Sequence, residues 1–206
     1  MDYVTPKFSI MSGKLIDIPA LNTSPLNNKF CKAMNKKKDS ICGSCYSINM
    51  LKTFRKRADV PFRNYGKFLS DKIHPLEYLP KNPNSLYVRF NAHGELINLN
   101  HTINLFNICL KSPHTTFTLW TKRVNLVHKA IKQQGKPNNL LLVFSTSAID
   151  DTSSLPKHFD KTFNVQSKMD NKTNCFGKCI DCLKCYTKSD KTTHIYEQIK
   201  GRINAS

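Results

Sequence analysis

The spacing of apolar residues changes period several times along this chain, and each change predicts an element. Leu86-Tyr-Val-Arg-Phe90 is dense in strand formers. From Ile97 to Leu110 the apolar positions (Ile97, Leu99, Ile103, Leu105, Phe106, Cys109, Leu110) fall mostly at helical spacing. Thr115 to Trp120 predicts a strand. Val124 to Gln134 predicts a helix with Val124, Val127, Ala130 and Ile131 on one face, stopped by Gly135 and Pro137. Leu140 to Thr146 opens on five consecutive apolar residues, the pattern of a strand covered on both faces. Thr162 to Gln166 predicts a further strand, and Thr192 to Lys200 a short closing helix.

Towards the amino terminus the pattern is more mixed. Phe8-Ser9-Ile10 and Leu15 to Ile18 predict short strands. Ser44 to Arg57 reads as a helix, and Pro61 opens a second that runs to about Ser70. Strand alternating with helix means βαβ units, hence an α/β fold with a mostly parallel sheet. The polar residues just past the carboxyl ends of such strands form the usual site. Here they are Arg89, Asn91, His93 and Glu95, then Thr121, Lys122 and Arg123, then Ser145, Ser147, Asp150 and Asp151. All three groups are expected on one rim.

Composition narrows the partners. The longest apolar run, Leu140 to Phe144, falls far short of the roughly 20 residues needed to span a bilayer. The opening MDYVTPKFSI lacks the basic flank and apolar core of a secretory signal, so a bacterial cytoplasm is expected. Lys and Arg total 32 against 14 Asp and Glu, a net +18, and 26 of the cations are Lys. Mobile Lys charges attract polyanions such as nucleic acid without reading sequence. A Lys/Asn-rich coding bias explains the same excess, since Asn occurs 20 times. The charge is concentrated between Lys29 and Ile73, where Phe54, Phe62 and Tyr65 are interleaved with Lys36-Lys37-Lys38 and Arg55-Lys56-Arg57.

The cysteines carry the sharpest signal. Cys31, Cys42 and Cys45 form one group, and Cys175, Cys179, Cys182 and Cys185 the other. Gaps of two or three residues bring several sulfurs around one point, as a metal requires. A reducing cytoplasm disfavours the alternative, disulfides between the groups. The run Cys179-x2-Cys182-x2-Cys185 resembles three corners of a cubane cluster, which favours iron–sulfur over zinc. In one arrangement those three hold one [4Fe-4S] cluster, while Cys175 joins Cys31, Cys42 and Cys45 around a second. A single cluster with mixed ligands is equally compatible. The zinc alternative pairs Cys42 and Cys45 with Cys182 and Cys185. Cys109, alone on an apolar helical face, is expected in the core.

The order of these motifs resembles the phage gene product 88 family over about residues 25–200. The likeness rests on Cys42-Gly-Ser-Cys45-Tyr46, Arg89-Phe-Asn-Ala-His-Gly-Glu95, Trp120-Thr121-Lys122, Ser145-Thr146-Ser147, and the closing Cys179-x2-Cys182-x2-Cys185-Tyr186. The resemblance implies a partial or irregular TIM-like barrel distantly similar to the adenosylmethionine radical fold. It implies no particular reaction.

The combined expectation is one α/β domain over 1–206, with cysteine segments at about 31–45 and 175–185 brought together. Seven cysteines (Cys31, Cys42, Cys45, Cys175, Cys179, Cys182, Cys185) are the candidate metal ligands, and Arg89, Asn91, Glu95, Lys122 and Ser145 the candidate ligand pocket. The chemistry expected is redox or radical, on a small molecule or nucleic acid, with no catalytic residue assigned. The competing class is a zinc-stabilised nucleic-acid-binding protein without catalysis. His93 and Glu95 read as an acid/base pair or, preferably, as a polar turn around Gly94.

Overall fold

The structure is a computed structural model and describes residues 4–81 and 84–199. Six strands form one sheet: β1 (Ala20–Leu21), β2 (Tyr87–Phe90), β3 (Thr116–Thr121), β4 (Leu140–Ile149), β5 (Lys161–Gln166) and β6 (His194–Gln198). Every pairing between neighbours is parallel, and the strands lie in chain order. The sheet is open between β1 and β6 and does not close into a barrel.

Helices α1 (Lys29–Asn35), α2 (Tyr46–Lys52) and α3 (Asp59–Asp71) connect β1 to β2. Helix α4 (Leu99–Lys111) connects β2 to β3, and α5 (Val124–Gln134) connects β3 to β4. The β4–β5 connection has no helix. The β5–β6 connection is the cysteine-rich segment, with a single turn of helix, α6 (Cys179–Cys182). No described helix is long and apolar enough to cross a membrane.

The period-two alternation of the strands sorts their residues between two faces. Val88 and Phe90 of β2, Phe117 and Leu119 of β3, and Leu140 and Leu142 of β4 join Ile103, Phe106 and Val127 in the main core under α4 and α5. The opposite face carries Tyr87, Arg89, Thr118 and Trp120. Tyr186 of the cysteine-rich segment packs edge-on against Tyr87 at 6.0 Å, so that segment covers this second face. Cys109 is fully buried in the main core, as its place on the helix predicts.

Four local expectations are corrected. The closing helix predicted at 192–200 is instead strand β6, whose backbone pairs in register with β5 from Thr162↔His194 to Gln166↔Gln198; Lys200 lies outside the described residues. The strand predicted at 15–18 is absent, because Gly13–Leu15 is a turn of 3-10 helix. At 8–10 only Ser9 pairs, in a single antiparallel bridge to Ala20. The helix predicted over 44–57 is shorter, ending at Lys52 and followed by a 3-10 turn at Lys56–Ala58.

Candidate functional site

The chain places its chemistry in two cavities, one at the carboxyl ends of the first strands and one within the β5–β6 connection. The first is a cleft of about 700 Å³. Cys31, Cys42, Cys45, Arg89, Asn91, Glu95, Lys122 and Ser145 all line it, together with Trp120. The five residues expected as a ligand pocket are therefore brought together, and the amino-terminal cysteines face them.

Local structure explains each placement. Asn28 caps α1, its Oδ1 accepting from the Phe30 and Cys31 N–H groups, while its Nδ2 donates to the Glu95 carbonyl at 2.8 Å. One side chain thus fixes Cys31 against the loop after β2. Ser40 caps the 3-10 turn Ile41–Ser44 by accepting from the Cys42 N–H, and its hydroxyl donates to the Ser147 carbonyl at 3.0 Å. That contact exists because a bulge between Ser145 and Ile149 bends the end of β4, where Ala148 bridges Ser40. The loop His93-Gly94-Glu95 needs glycine: Gly94 has φ +86°, and a Cβ there would stand 2.4 Å from the Thr23 carbonyl oxygen.

Glu95 is buried and fully engaged. Its Oε1 accepts from the Leu96 N–H at 2.8 Å and the Thr121 hydroxyl at 2.5 Å, and its Oε2 from the Lys122 N–H at 2.9 Å. Burial pushes its carboxyl pKa up, against the Lys122 charge and these hydrogen bonds. Lys122 reaches across to donate to the Ser145 hydroxyl at 2.9 Å. His93 turns elsewhere. Its Nδ1 lies 2.8 Å from the Ser47 hydroxyl and its ring stacks on Phe62. No hydrogen bond joins His93 to Glu95 among the described residues, and the polar-turn reading holds.

The second cavity, of about 320 Å³, is lined by Cys175, Cys179, Cys182 and Cys185, with Phe176, Leu183 and Tyr186. The structure thus groups Cys175 with its three sequence neighbours rather than with Cys31, Cys42 and Cys45. The physical reason is β6. The Cys175 N–H donates to the Tyr196 carbonyl at 3.0 Å, which pins this cysteine beside the last strand. The chain then turns at Gly177, makes the one turn of α6, and reverses at Leu183, whose φ is +51°. A branched residue in the left-handed region is strained, and here the strain returns Cys185 towards Cys175 and Cys179.

All eight cysteines are free thiols. Burial raises the Cys175, Cys179 and Cys185 pKa values, that of Cys185 to about 12. Cations oppose the shift. The Arg89 charge acts on Cys179 and Cys185. Lys14 donates to the Cys175 carbonyl at 3.2 Å and sulfur at 3.6 Å, and pairs with Glu197 at 2.5 Å. Burial likewise raises the Cys31 and Cys42 pKa values, with Lys122 opposing. Arg89 lines the first cleft while its charge reaches the second, so it stands between the two cysteine groups.

As placed, no group of three or more His, Cys, Asp or Glu among the described residues is arranged to hold a metal ion. The donor chemistry of the second cavity nonetheless fits a thiolate-bound group: four sulfurs, apolar walls and two neighbouring cations. Sequence reasoning missed Lys14, and it missed the buried polar run Asn22, Thr23, Ser24 and Asn28. Only Asn28 left a signal, three residues before Cys31 at capping distance.

No curated protein and no solved structure matches the chain. Residues 4–194 match the family described as Gene product 88, and with nearly its whole length so matched the chain belongs to that family.

Proposed function

We propose that this protein binds an iron–sulfur cluster through Cys175, Cys179, Cys182 and Cys185, and takes a small-molecule ligand in the neighbouring cleft. The observation that carries the reading is that four cysteines line one cavity beside Lys14 and Arg89. A thiolate-bound cluster is anionic, and these cations favour it. A cluster bound there would supply one-electron redox chemistry. The protein's own residues hold the sulfurs beside the buried Tyr186 and set Arg89 between them and the ligand cleft. Cys31, Cys42 and Cys45 offer a second thiol group, which Lys122 faces. The relation to adenosylmethionine radical enzymes belongs to the same reading, and six parallel strands in chain order with the cleft at their carboxyl ends support it.

Metal and acid-labile sulfide analysis of anaerobically purified protein tests this. The expected outcome is a brown protein with a broad band near roughly 400 nm, the thiolate-to-iron region. Cys185→Ser should lose most of that iron, and Cys109→Ser should keep it. A colourless protein with stoichiometric zinc would replace the cluster with a structural zinc site.

A second reading is favoured by one surface. Of the aromatics expected among the basic residues, Phe62 and Tyr65 are buried in a core with Met50 and Leu51, whereas Phe54 is 70% exposed; Tyr46 is 64% exposed at the start of α2, and Lys52, Arg55, Lys56 and Arg57 lie nearby in sequence. Exposed rings among cations suit single-stranded nucleic acid.

A further inference from the structure

Three nitrogen donors in the first cleft lack an acceptor. Among the described residues, Nε of Arg89, Nδ2 of Asn91 and Nε1 of Trp120 are buried without a hydrogen-bond partner. All three side chains line the cleft. Asn91 is only 6% exposed and sits at φ +57° immediately after β2. A buried donor without a partner is costly, so three in one place are seldom left unsatisfied.

The charges point the same way. Arg89 makes no ion pair among the described residues, and its guanidinium carbon lies over the Trp120 ring, 3.8 Å from the centroid. Lys122 is the second cation. The acid in the lining, Glu95, already accepts three hydrogen bonds. Two cations therefore line the cleft against one committed carboxylate, and three buried donors of its lining residues are without partners among the described residues.

We infer that this cleft is an oxyanion site, taking the carboxylate or phosphate group of a small molecule between Arg89, Asn91, Trp120 and Lys122. The planar guanidinium suits a two-oxygen acceptor, and Lys122 adds a point charge. The inference rests on the reading of the cleft as the ligand pocket, and not on the cluster.

The test uses the chain's single tryptophan. Because Trp120 lies in the cleft under Arg89, its fluorescence reports on that site alone. The full-length protein is titrated with inorganic phosphate, acetate and chloride at constant ionic strength. A saturable change with phosphate, acetate or both, absent with chloride, supports the site, and the responding anion identifies the headgroup class. Arg89→Gln and Lys122→Gln should each weaken that response at least tenfold, while Lys132→Gln, on the exposed face of α5, should leave it unchanged. Circular dichroism verifies that each variant is folded, and Lys122→Gln carries the test if Arg89→Gln is not. Equal responses to all three anions, no saturable response, or an undiminished response in the folded variants would overturn the proposal. Absence of the iron–sulfur absorption leaves this result unaffected, so the two readings fail separately.

Discussion

Single residues here are chosen for the protonation state that the interior allows. His101 is fully buried, and its Nδ1 accepts the Ile97 N–H at 3.1 Å. Burial, then the Arg123 charge, lowers its pKa to about 3. His93 is held at about 4 by burial and by Arg89 and Arg55. Both rings stay neutral in the folded protein, whereas the unfolded chain protonates them near the ordinary value of about 6.5. Their stabilisation is complete above that pH and is lost as the pH falls towards about 4 for His93 and about 3 for His101. Between pH 6 and 5 each ring should lower the unfolding free energy by about 1 kcal/mol. Urea unfolding at both pH values should show the combined slope, and His101→Gln should remove about half of it. None of this was legible in the sequence, where His101 is one of several scattered histidines; its burial comes from packing between α4 and the loop after β2. That Arg89, Asn91, Glu95, Lys122 and Ser145 share one cleft was legible, because the end of a parallel strand is a position that sequence alone can locate.

Among elements, asparagines do the work of helix caps. The Nδ2 of Asn104, on α4, donates to the Leu69 and Lys72 carbonyls at 2.8 and 2.7 Å, and its Oδ1 accepts the His74 N–H at 2.9 Å. These bonds satisfy the last carbonyls of α3, which have no partner within their own helix. Asn98 caps the start of α4 and donates to the Ser70 carbonyl at 2.8 Å. Asn104→Ala strips three buried hydrogen bonds and should destabilise the protein by about 2–4 kcal/mol, read as a lowered urea midpoint with an unchanged slope. At this scale the sequence was most informative where period and partner are both local. Helix α5 spans the predicted Val124–Gln134, and β2 to β5 lie within a few residues of their predicted positions. The closing segment is strand β6 and not the expected helix because pairing with β5 decides its structure. Strand β1 has only two residues, too few to show any period.

The whole molecule carries a net charge of +18. If the exposed surface around Tyr46 and Phe54 engages nucleic acid, affinity for a single-stranded oligonucleotide should fall steeply with salt. Tyr46→Ala with Phe54→Ala should then weaken binding by about 2–6 kcal/mol, the loss of two stacked bases, as measured by fluorescence anisotropy. An affinity indifferent to salt would exclude that mode. The strictly sequential strand order has a temporal consequence. Synthesis proceeds from the amino terminus, and each strand finds its neighbour in the segment made just before it. Cys175 to Cys185 fall in the last crossover, emerging when five of the six strands have already left the ribosome. Those sulfurs therefore join a scaffold of five described strands that is already available for pairing, and β6 follows them.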